Sequence, residues 1–100
     1  MTALDGWLAA RTEGAPEALC HRVQHYLHPA TAPDAVDTLV VAARSALAAA
    51  SGTEAGRSVA IDLLTADALI TLALLRQSET APGALAARAR TIRLDSSLRD

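Results

Sequence analysis

The chain has no lysine, no phenylalanine, only one cysteine and only two aromatic residues. Without lysine, the chain offers neither a Schiff base nor an ammonium to cradle a phosphate. The lone Cys20 excludes an internal disulfide and a cysteine-rich metal knuckle, and it is compatible with a reducing compartment. A Gly-rich dinucleotide fingerprint and a nucleophile elbow are also missing. We therefore expect no enzyme activity in the isolated chain.

Charge of either sign is also scarce, and the formal net charge at pH 7 is −2. A domain that neutralises several phosphates usually carries a clustered basic excess. The only basic cluster is Arg88, Arg90 and Arg93. On a helix, the first two of these point to sides about 200° apart. This cluster predicts a solvated rim, and we expect no nucleic-acid partner.

The longest apolar run, from Arg57 to Arg76, has the length of a membrane span. Its nine Leu, Ile and Val residues favour insertion by about 3 to 5 kcal/mol, but Asp62 and Asp67 oppose it by roughly 5 to 7. We therefore expect no membrane insertion and predict a helix buried in protein. The first eight residues lack the basic start and apolar stretch of a secretory signal, so a cytoplasmic location is expected.

Apolar residues recur at steps of three and four, and alternating β-branched runs are absent. These patterns predict helices over residues 3–11, 16–27, 35–51 and 56–77, and a fifth after residue 80. Connections of three to six residues suit antiparallel neighbours. The predicted fold is all-α, a small antiparallel bundle of four to five helices around a long central helix at about 56–77. Residues 1–94 form one predicted domain, and 95–100 a frayed C-terminal tail.

Capping residues mark several of these boundaries. Thr2, Asp34 and Thr80 are predicted N-caps, and Gly52 is the predicted C-terminal residue of the third helix. The fifth helix is predicted to turn Leu85, Ala89 and Ile92 toward the core.

The predicted central helix is apolar on two sides. It carries nine of the 23 Leu, Ile and Val residues of the chain, while the other helices are short or alanine-rich. We therefore expect that the chain alone does not cover it, and that a second copy related by a two-fold axis, or a larger protein, does. The alternative is a helix wrapped entirely by its own chain. Two stripes supply the candidate interface residues: Ile61, Leu64, Ala68, Leu72 and Leu75 on one, and Leu63, Ile70 and Leu74 on the other.

Three histidines recur at steps of four and three. His21, His25 and His28 fall within about 60° of one another if the helix reaches the last of them. Imidazoles on one face could hold Zn, Ni, Cu or a haem iron. The apolar residues of this helix lie on its other side, so the histidines are expected to face away from the core. A metal or haem site, a pH-sensitive interface and a solvated face all stay open.

The two aspartates of the central helix raise a separate question. Asp62 and Asp67 project about 140° apart, so one helix cannot aim both at a single ligand. Each is expected instead to meet an arginine or a helix-terminal N–H.

The leading interpretation is a non-catalytic helical protein–protein interaction module. It would act as a homo-oligomer or as a small accessory subunit of a larger complex, with no cofactor. A metal- or haem-binding protein that uses the three histidines is the alternative. A third hypothesis is a regulator of transcription that acts through protein contacts.

Overall fold

The structure, a computed structural model, describes residues 3–51 and 56–99. Within these ranges the chain forms five α-helices, one short 3₁₀ turn and no strand. The helices are α1 (Ala3–Arg11), α2 (Glu17–Leu27), α3 (Ala35–Ser51), α4 (Arg57–Thr80) and α5 (Leu85–Arg99). The long α4 packs against α2, α3 and α5. The prediction of an all-α bundle around a long helix is confirmed.

The helix ends follow the capping residues in part. Asp34 caps α3 as predicted, since its Oδ1 accepts a hydrogen bond from the backbone N–H of Asp37 at 2.8 Å. Thr80 was expected to cap the fifth helix, but it ends α4, and its hydroxyl donates to the carbonyl of Arg76 at 2.9 Å. The 3₁₀ turn Pro82–Ala84 then leads into α5. The capping predictions for Thr2 and Gly52 lie outside the described residues.

The fifth helix, α5, ends at Arg99 and differs from its prediction in which residues it buries. Of the three residues that were expected to face inward, Leu85 and Ile92 are half-buried and Ala89 is exposed. One side of α5 is therefore covered only in part, because the helix lies at the edge of the bundle.

The core lies mainly between α3 and α4, which share the largest interface of the bundle. Leu39 and Leu69 are fully buried there, together with Thr65, whose hydroxyl donates to the carbonyl of Ile61 at 2.7 Å. Alanines fill most of the remaining contact and let the two helix axes approach closely. We call these alanines the alanine seam: Ala42, Ala43 and Ala46 of α3, and Ala66 and Ala73 of α4.

A polar clamp attaches α1 to the C-terminal end of α4. The Trp7 indole N–H donates to Glu79 at 2.9 Å, and Arg11 donates to both oxygens of the same carboxylate. The guanidiniums of Arg11 and Arg76 lie 5.5 and 5.2 Å from the centre of the Trp7 ring. Leu8 beside them is buried in the core. These contacts attach α1 to α4, although Trp7 and Glu79 lie 72 residues apart in the sequence.

In the described part of the chain, we find no helix with the length and apolar character that a membrane crossing requires.

Leu69→Ala tests the position of the core. The substitution leaves a cavity where a side chain with no exposed surface packs, so we expect a loss of about 2 to 5 kcal/mol in the free energy of unfolding. Urea denaturation followed by circular dichroism measures it. Leu64→Ala on the same helix is the control, because Leu64 is exposed and its truncation should change the stability of dilute protein by less than about 0.5 kcal/mol. Equal losses for both variants would contradict this placement of α4.

Candidate interaction surface

Large apolar side chains remain exposed on the outer side of α4. Leu64 is 61% exposed, Leu63 48% and Leu75 37%. The opposite side of the helix, which includes Leu69 and Ala73, is buried. Single exposed leucines are ordinary, but three of them on the helix at the centre of the bundle make its outer side a candidate interaction surface.

The exposed positions follow a heptad spacing. Ile61, Leu64, Ala68, Thr71 and Leu75 recur at steps of three, four, three and four, and we call them the outer stripe. Ile61 and Ala68 are half-buried and the other three are exposed. Steps of this kind keep side chains on one seam along a helix, and such a seam normally packs against another helix. The outer stripe contains no charged residue.

An apolar groove runs beside the outer stripe, between α3 and α4. Its volume is about 300 Å³, and Leu47, Leu63 and Ile70 line it. Ala43, Ala66 and Ile92 complete the apolar lining, and Arg44 and Asp67 form the charged rim. Leu63 lines the groove, and the next residue, Leu64, belongs to the outer stripe. The exposed Asp67 lies between these two leucines on the helix surface.

The structure separates the predicted interface residues into three groups. Leu72 is buried in the core, because the side of α4 that faces the core lies midway between the two predicted stripes. Ile61, Ala68, Ile70 and Leu74 are half-buried. Leu63, Leu64 and Leu75 are exposed. Helix α4 is therefore not a middle layer with one predicted stripe on each side. The exposed residues of both stripes lie on the one side of α4 that faces away from the core.

Two members of this surface were not singled out from the sequence. Leu47 of α3 was not among the predicted interface residues; it is 42% exposed and lines the groove. It sits at the margin of the α3 apolar side, where helical spacing alone does not separate core from rim. Thr71 belongs to the outer stripe in place of Leu72. The heptad step from Leu64 could have identified it.

The predicted histidine stripe lies on the surface of α2. His21, His25 and His28 are all exposed, and the His25 ring contacts Tyr26 edge-on, with ring centres 4.9 Å apart. No three His, Cys, Asp or Glu side chains in residues 3–51 and 56–99 come together as a metal site. The metal or haem hypothesis stays a prediction, and the geometry adds nothing to it.

A buried carboxylate joins α2 to α4. Asp62 is buried, and one of its oxygens accepts hydrogen bonds from Arg22 Nε and from the Tyr26 hydroxyl, each at 2.8 Å. The expectation that Asp62 meets an arginine is confirmed. Asp67 is exposed, and its carboxylate accepts no hydrogen bond from a described residue.

The environment of Asp62 keeps it ionised. Burial alone would raise the pKa of this carboxyl group, but the hydrogen bonds from Arg22 and Tyr26 and the charge of Arg22 outweigh it, so the pKa lies below its ordinary value. Burial and the bond to Asp62 raise the pKa of the Tyr26 hydroxyl. The proton therefore stays on the tyrosine, and the three groups form a fixed structural link between helices.

No protein-family model matches the chain, and comparison with curated proteins and with solved structures gave no match. The surfaces described above are therefore the basis for a functional proposal.

Acid titration tests the Asp62 link. The pKa of Asp62 is lower in the folded than in the unfolded chain, so the ionised carboxylate stabilises the fold, and does so fully above about pH 5. This stabilisation is lost as the pH falls through the pKa of the folded chain. We expect Asp62→Asn to cost about 1 to 3 kcal/mol at pH 7, because the Arg22 charge loses its partner. The cost should shrink toward pH 3.

Urea unfolding at both pH values measures these changes. Asp67→Asn is the matched control, since Asp67 is exposed on the same helix. The free energy of unfolding of this variant should equal that of the unmodified chain at each pH. A cost of Asp62→Asn that stays constant between pH 7 and pH 3 would disprove the role of the ionised carboxylate.

Proposed function

We propose that the protein is a non-catalytic helical interaction module that assembles with a second copy of itself through the outer stripe and the adjoining groove. The observation that carries the proposal is the exposure of Leu63, Leu64 and Leu75 on a helix whose opposite side forms the core. The uncharged heptad spacing of the outer stripe supports a helical partner.

The area of the exposed leucines shows whether the outer stripe alone can hold two copies together. Complete burial of an exposed leucine stabilises by about 1.5 to 3 kcal/mol, and the three exposed leucines of α4 are already about half-covered. Their remaining surface therefore contributes roughly 2 to 4 kcal/mol. Association alone costs at least that much, so the outer stripe by itself would bind weakly. A stable complex must also cover Leu47 and Ile70 in the groove.

A second copy fits this surface by symmetry. If two α4 helices pack antiparallel about a two-fold axis at Ala68, Ile61 of one copy lies opposite Leu75 of the other. Leu64 then packs near Thr71 of the other copy. The small Ala68 at the axis lets the two helices approach closely. Such an interface needs no acidic or basic partner, which suits a stripe without charge.

The oligomeric state of the purified chain tests the proposal. Light scattering coupled to size-exclusion chromatography should show a mass that rises toward twice that of the chain with increasing concentration. Leu64→Glu should hold the mass at that of the monomer with unchanged helicity, because it places a carboxylate in the outer stripe, one turn from the two-fold axis at Ala68. Leu72→Asp is unsuitable, since Leu72 is buried and the variant would unfold.

Val41→Glu is the control for the charge change. Val41 is exposed on α3 but lines neither the groove nor the outer stripe, so this variant should dimerise like the original chain. A chain that is folded and strictly monomeric at millimolar concentration would refute self-assembly. If the purified chain is a monomer but the chain in cell extracts is found in a complex with a larger protein, the chain is an accessory subunit instead.

A further inference from the structure

A second cavity lies where the start of α3, the end of α4 and the first turns of α5 meet, and its volume is about 520 Å³. This is within the range of small-molecule sites. Its walls carry Arg76, Gln77, Thr80, Arg88 and Thr91, and small apolar residues separate them: Ala35, Val36, Ala81, Ala84 and Ala87. Asp34 is the one carboxylate of the lining.

Arg88 is held in place before any ligand arrives. Its Nε donates to the side-chain oxygen of the buried Gln77 at 3.2 Å, and its Nη1 pairs with Asp37. Gln77 is fixed in turn by its own hydrogen bond to the carbonyl of Ala81 at 3.0 Å. The Nη2 group of Arg88 donates no hydrogen bond to a described residue. A guanidinium presents five N–H donors in a rigid fork, so part of this fork is available to a ligand.

Arg76 provides the second guanidinium. It lies over the Trp7 ring at 5.2 Å, which orients it, and among the described residues it makes no hydrogen bond and no ion pair. All its N–H donors are therefore unused by the described part of the chain. Arg76 is half-buried at the cavity wall, where its charge is screened less than on an open surface.

We propose that this cavity binds a small organic anion, with a carboxylate or phosphate group held by Arg76 and Arg88 and a short apolar body against the alanines. Planar guanidiniums recognise such oxyanions through paired hydrogen bonds. Thr80 and Thr91 line the same space, but each donates its hydroxyl proton to a backbone carbonyl of its own helix, so the two guanidiniums are the donors of the proposed site. Asp34 and Asp37, the latter paired with Arg88, offset much of the positive charge, so we expect weak binding. The site is independent of the proposed dimer surface.

Two probes distinguish the head groups. The ¹⁵N-labelled chain is titrated separately with sodium butyrate and with inorganic phosphate at constant ionic strength, with sodium chloride as the reference. Saturable shifts of the backbone amides of Thr80, Arg88 and Thr91 are expected with at least one probe. Saturation by butyrate identifies a carboxylate ligand, and saturation by phosphate alone identifies a phosphate ligand. Linear, unsaturated shifts with both probes would overturn the proposal.

Variants locate the binding. Arg76→Gln should lower the affinity about tenfold, because it removes a charged donor pair. Ala87→Leu should also weaken binding, because the larger side chain narrows the space proposed for the apolar body of the ligand while every charge is kept. Arg11→Gln removes the other guanidinium over Trp7, and Arg90→Gln removes an exposed charge of α5, but neither residue lines the cavity. Both controls should bind like the original chain. Saturable binding that survives both Arg76→Gln and Ala87→Leu would place the ligand elsewhere and contradict the proposal.

Discussion

The bundle depends on the close packing of α3 on α4 through the alanine seam. Alanine side chains allow two helices to approach closely, but each contributes only about 0.8 kcal/mol of apolar burial, far less than a leucine. The stability of the contact therefore rests on the few large side chains set within it, chiefly Leu39 and Leu69, which have no exposed surface.

Helix α4 carries more leucine side chains than its neighbours cover. The leucines that are not covered, Leu63, Leu64 and Leu75, are exposed. The polar links act on other sides of the helix. Asp62 joins α4 to α2, and Glu79 joins it to α1. One helix thus organises the whole bundle and also presents the surface proposed for assembly.

The sequence predicted the fold class and most helix bounds, since steps of three and four, prolines and Asp34 are local features. Which side of α4 is exposed could not be predicted from the sequence and required the structure. The side of α4 that faces the core was displaced by about a quarter turn from the predicted stripes, because a helix apolar on most sides does not specify which side is covered. Arg88 was assigned to a solvated rim, but it binds Gln77 and Asp37, partners 11 and 51 residues away that no local pattern reveals.

The clamp between Trp7 and Glu79 joins residues 72 positions apart. During synthesis at about 5 to 20 residues per second, α1 therefore waits roughly 4 to 14 s on the ribosome before its acceptor exists. In that interval the Trp7 indole N–H has no carboxylate of α4 to bind. Among the five helices α1 is thus made first, yet it cannot complete its contacts until the end of α4 has been made.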